Sequence, residues 1–102
     1  MVSQAGGEEE ALQMELARCR EEIATVDSAF ITLLSKRVAL ARQTGMLKQK
    51  LGLSILDPQR EAARIRVAIA SARAEGLDPE SVREIFWHIL GLSRKAQYSE
   101  KR

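Results

Sequence analysis

A chain of 102 residues, 45% of them apolar, is the length of one domain, and with only 4% aromatics its core must be aliphatic. The 16 basic and 14 acidic residues are interspersed and leave a net charge of +2, too mild a balance to argue for nucleic acid. The first ten residues, ending Gly6-Gly7-Glu8-Glu9-Glu10, have neither a basic start nor an apolar run, which excludes a usual secretion signal, and no run approaches the roughly 18 apolar residues of a membrane span.

Residues 1–10 read as a flexible segment, 11–98 as a helical domain and 99–102 as a frayed, charged tail. From about residue 8 to about residue 51 there is no proline and one internal glycine, Gly45, so the sequence permits a single helix of about 40 residues, about 60 Å long. A compact monomer of this size has a radius of gyration near 13 Å, so the chain is expected to be an oligomer in which long helices cover one another. Leu12, Leu16, Cys19, Ile23, Val26, Phe30 and Leu33 recur at spacings of 3 and 4 and form one apolar face. Cys19 on that face reads as a small core residue. The same stripe continues through Arg37, Ala41, Thr44 and Lys48, placing two cations where a buried face would carry Leu or Ile. Cations there need anionic partners, and the stripe has no acidic residue after Phe30.

Residues 51–56 read as a loop, followed by Asp57-Pro58, a helix start in which Asp caps and Pro occupies the first turn. The second helix carries Ala62, Ile65, Ile69 and Ala72 on one face and ends before Gly76. Asp78-Pro79-Glu80 repeats the start signal. The third helix presents Val82, Ile85, Phe86, Ile89 and Leu90, and the continuation of that face is polar, at Ser93 and Gln97 with Ala96 beside them. His88 and Trp87 read as packing or surface residues. No strand pattern competes, and no metal-ligand cluster stands out.

Arg37 and Lys48 are 11 residues apart, about three turns and about 16 Å along a helix, so long side chains from both can converge on one small molecule. Ala41 and Gly45 between them leave room. The residues alone equally allow two snorkelling surface cations over a close helix contact. For Asp57 a plain helix cap, for Arg60 a salt bridge ordering the turn, and for Ser93 a bond back to its own helix remain open beside any contact with a ligand.

The pattern Arg20-x2-Ile23-x3-Asp27, Leu33-Leu34-x2-Arg37, Gly45-x2-Lys48, then Asp57-x2-Arg60-Glu61 and Ser93-x3-Gln97, resembles the all-α (AroQ-type) chorismate mutases over residues 20–97. Eight polar positions in register across three helices, Arg20, Arg37, Lys48, Asp57, Arg60, Glu61, Ser93 and Gln97, carry the resemblance. It implies an all-α fold of three helices, one very long, in an intertwined homodimer with two shared sites. Chorismate, a dicarboxylate, would rearrange to prephenate by a pericyclic shift that requires no nucleophile, metal or proton transfer. By resemblance, Arg37 and Arg20 of the partner chain clamp the carboxylates with help from Ser93, Lys48 and Gln97 donate to the ether oxygen, and Glu61, with Asp57 and Arg60 at the same helix start, receives the ring hydroxyl. Arg20 lies 28 residues before Lys48, about 42 Å along a straight helix, so one chain cannot bring both to one small molecule. The resemblance also implies a role in aromatic amino acid biosynthesis; the lone cysteine and the lack of a secretion signal suit a reducing cytoplasm, and without an attached dehydratase, dehydrogenase or synthase domain a monofunctional enzyme is expected. Related helical enzymes act on 4-amino-4-deoxychorismate or remove pyruvate from isochorismate, and Glu61 could pair with an ammonium as readily as with a hydroxyl. A third reading is a non-enzymatic dimeric helical module whose basic stripe binds an acidic partner or nucleic acid.

Overall fold

The computed structural model of the chain describes residues 3–99. They form three helices and no strand: α1 (Ser3–Leu51), α2 (Pro58–Ala74) and α3 (Pro79–Ser99). The absence of proline before residue 58 lets α1 run without interruption, and it starts at Ser3, earlier than the sequence reading placed it. No helix among the described residues is long and apolar enough to cross a membrane.

The chain divides into two units, residues 1–35 and 36–102. The first contains only α1, and a lone helix has no second layer against which to bury its apolar face. Leu12, Leu16, Ile23, Val26, Phe30 and Leu33 are therefore all exposed, from 49% to 66%. Cys19, expected in a core, is exposed for the same reason. Thr25 and Thr32 donate their hydroxyls to the carbonyls of Glu21 and Ser28, a local bond that satisfies these side chains without leaving the helix.

The second unit holds the C-terminal part of α1 with α2 and α3. Two of its turns are made the same way. At the end of α1 the Leu53 amide donates to the Lys48 carbonyl at 2.8 Å, and at the end of α2 the Leu77 amide donates to the Ala72 carbonyl at 2.8 Å. Both closures require a left-handed residue just past the helix, and Gly52 (φ 71°) and Gly76 (φ 72°) adopt that conformation without a Cβ penalty. Each following helix starts on an aspartate, as the two Asp-Pro pairs predict. Asp57 Oδ1 accepts from the Arg60 amide at 3.2 Å, and Asp78 Oδ2 accepts from both the amide and the hydroxyl of Ser81. These bonds hold the Asp78 carboxyl below the usual carboxylate range, the Ser81 hydroxyl contributing most.

The core is small and aliphatic. Ile65 and Ile69 of α2 pack with Leu90 of α3, and Ala68, Ala72, Ala96, Ala41 and Ile55 are buried around them. The faces predicted for α2 and α3 hold with two exceptions. Ala62 is exposed while Ala68, one turn below Ala72, takes its place, and Ile85 is 56% exposed because the inner stripe of α3 follows Val82, Phe86, Leu90, Ser93 and Gln97 and leaves Ile85 on its flank. Gly45 is buried where α1 meets α3: a Cβ there would lie 2.7 Å from the Gln97 carbonyl oxygen and 2.9 Å from its Cα.

Candidate functional site

The polar residues of the inner stripes meet in the second unit around an open cavity of about 880 Å³. Arg37, Ala41, Thr44 and Lys48 of α1 line one wall. Asp57, Arg60, Glu61 and Arg64 come from the first turns of α2, and Ser93 and Gln97 from α3.

Lys48 is half-buried and anchored twice, its Nζ donating to the Ile55 carbonyl at 3.0 Å and to Gln97 Oε1 at 3.1 Å. Both acceptors are neutral, so neither supplies a counter-charge. Gln97, having used its oxygen, retains its amide NH2 as a donor. The close approach permitted by Gly45 brings the Gln97 backbone, and with it this amide, to α1.

Arg37 donates a guanidinium N–H to the hydroxyl of Ser93, which is itself buried. The Ser93 hydroxyl thus accepts from the arginine and steers it. Burial, and next the positive charge of Arg64, push the Arg37 guanidinium below its ordinary value. A cation disfavoured in this way is an invitation to an anion. Among the described residues no carboxylate forms an ion pair with Arg37, Lys48 or Arg64.

Two of the three carboxylates lining the cavity, Asp57 and Glu61, are already engaged; the third, Glu75, lies at the far end of α2. Asp57 caps α2 and also meets Arg60 Nε at 3.4 Å, so the cap and the turn-ordering salt bridge considered for this pair are both present; the Arg60 side chain is 72% exposed, and the pair adds little stability. Glu61 accepts a two-pronged grip from Arg94 of α3, Nη2 to Oε1 at 2.7 Å and Nε to Oε2 at 3.2 Å. Arg94 has no place in the sequence reading, since it lies off the inner stripe and its only sequence signal is a charge opposite to that of Glu61. The Ile55 carbonyl and the third cation, Arg64, also escaped that reading. Arg20 belongs to the first unit and is exposed.

Charged and donor groups thus converge on a space with three uncompensated cations and no cluster of His, Cys, Asp or Glu among the described residues able to hold a metal. Residues 19–98 match the family model described as chorismate mutase type II. The chain belongs to this family. It is 33% identical over 76 residues to the T-protein of Enterobacter agglomerans, covering 74% of this chain and 20% of that protein. It is 32% identical over 66 residues to the T-protein of Haemophilus influenzae, covering 65% of this chain and 18% of the relative. With the chorismate mutase of Methanocaldococcus jannaschii it shares 36% identity over 47 residues, 46% of this chain and 48% of that one. The chain thus spans about a fifth of the length of the T-proteins and about half that of the archaeal relative. All eight polar positions that carry the family resemblance lie inside the matched span, and seven of them, from Arg37 onward, belong to the second unit.

Proposed function

We propose that this chain is a chorismate mutase that rearranges chorismate to prephenate without a cofactor, as a homodimer with shared sites. The observation that carries the reading is the Lys48–Gln97 pair, held 3.1 Å apart on the wall of a cavity whose cations Arg37 and Arg64 have no carboxylate partner.

The reaction breaks an ether C–O bond while a C–C bond forms, and negative charge develops on the ether oxygen. Catalysis then consists of holding the compact conformer and placing donors at that oxygen. Lys48 supplies a fixed ammonium and Gln97 a neutral amide, neither of which has to move a proton. Arg37, oriented by Ser93, offers a planar fork to one substrate carboxylate, and binding of the dianion relieves the repulsion between Arg37 and Arg64. Glu61 receives the ring hydroxyl, and Asp57 and Arg60 order the start of α2 beside it.

The second carboxylate is assigned to Arg20 of a partner copy. The exposed apolar stripe of the first unit supports this part of the proposal, because six large apolar side chains on one helix face are more than a monomer ordinarily leaves to water. A cytoplasmic location belongs to the same proposal. The deciding experiment is prephenate formation from chorismate by purified protein, followed by absorbance, with isochorismate and 4-amino-4-deoxychorismate in parallel. Loss of chorismate absorbance with appearance of prephenate is expected; turnover of isochorismate instead, or no turnover of any of the three, overturns the reading.

A further inference from the structure

We propose that Arg94 is a positioning residue that sets substrate specificity: by gripping Glu61 from α3, it keeps that carboxylate an acceptor for a neutral hydroxyl and turns away an ammonium at the same place. The inference rests on the reading of the cavity as a chorismate site. Glu61 lines the cavity, whereas Arg94 lines the groove on the other side of α3 together with Trp87, His88 and Tyr98, so the guanidinium reaches the carboxylate without itself facing the substrate.

Both oxygens of Glu61 are bonded by the Arg94 fork at 2.7 and 3.2 Å, which fixes the plane of the carboxylate and leaves further lone pairs free to accept. The pair is mostly shielded, the side chains being 33% and 21% exposed, so its charges are felt more strongly than in open water. Hydrogen bonding to Glu61 and then the charge of Glu61 raise the guanidinium above its ordinary value, so it stays cationic. A hydroxyl needs only a lone pair from Glu61. An ammonium would draw its binding energy from net negative charge, and here the carboxylate is cancelled by a cation directly behind it. Discrimination therefore comes from a repulsive element built next to the attractive one.

The test compares wild type, Arg94→Gln and Arg94→Lys. It measures the KM for chorismate, the inhibition constant of 4-amino-4-deoxychorismate against it, and thermal-shift titrations with both compounds as a readout independent of turnover. Removing the charge in Arg94→Gln should favour the amino compound over chorismate by about tenfold or more relative to wild type, the size of one charge interaction at a partly shielded site. Arg94→Lys keeps the charge and should keep the wild-type preference. An unchanged ratio in Arg94→Gln, or an equal shift in both variants, overturns the proposal. Should Arg94→Gln fail to fold by circular dichroism, Arg94→Lys decides alone, a lost preference counting against the role of charge. Absence of chorismate turnover in wild type, with the thermal-shift ratio still moving as described, would sink the mutase reading and leave this one standing.

Discussion

Replacing Gly45 by alanine tests whether the approach of α1 to α3 aligns the two donors. The added Cβ would sit 2.7 Å from the Gln97 carbonyl oxygen and 2.9 Å from its Cα, where an ordinary contact begins at 3.4 Å. The obstacle is backbone, so no side chain can swing aside, and α3 has to retreat by about 0.7 Å at Gln97. Two stability effects oppose each other: overpacking costs about 1–3 kcal/mol, while alanine gains about 1 kcal/mol over glycine in a helix. The net loss of stability is then about 0–2 kcal/mol, and the protein stays folded. Turnover suffers more, because a shift approaching 1 Å in a donor at the reacting oxygen lowers rate by on the order of 10- to 100-fold. The assay is kcat for prephenate formation beside a thermal unfolding curve, with Gly91→Ala as control. A Cβ at Gly91 meets nothing within 4 Å, so that variant should gain a little stability and keep its turnover. Wild-type kcat in Gly45→Ala would refute the reasoning, as would a fall in rate no larger than that of the control.

Lys48→Ala and Gln97→Ala should each lower kcat by roughly 100- to 1000-fold with little change in melting temperature, since both act as placed donors and neither fills the core; kcat and melting curves on the same preparations check this. Mixing an Arg20→Ala chain with an Arg37→Ala chain should restore activity, one intact site forming in each heterodimer; a verified heterodimer with no recovered activity would count against shared sites. The depressed Asp78 carboxyl stabilises the fold above the usual carboxylate range, and that contribution is lost as the pH falls through its lowered value. Ser81→Ala removes the largest cause, so the acid-side fall of its melting temperature should be shallower than in wild type; an identical acid limb would show that this cap does not couple to folding.

Much of this site was legible because helices write their faces at spacings of 3 and 4. Arg37 and Lys48 interrupting an apolar stripe, and Ser93 and Gln97 continuing another, announced an inner surface that is not oily, and the two Asp-Pro pairs fixed where α2 and α3 begin. What escaped depends on how one helix is rotated against another, or on the main chain. Arg94 is invisible as a partner of Glu61 until α3 is set beside α2, and the Ile55 carbonyl that moors Lys48 leaves no mark on a pattern of side chains. Ile85 and Ala62 show the opposite failure: they continue an apolar period in the sequence, yet packing stops short of that side of the helix. Cys19 is exposed because its face belongs to a unit with no second layer within the chain.

The mooring of Lys48 to a peptide carbonyl frees position 55 from chemical specification. Ile55 contributes only a backbone oxygen to the ammonium and an apolar plug, 7% exposed, to the core. Valine or leucine there would leave the ammonium's berth intact, whereas altering the length of the segment between Gly52 and Asp57 would drag it off station without touching any residue that bears charge.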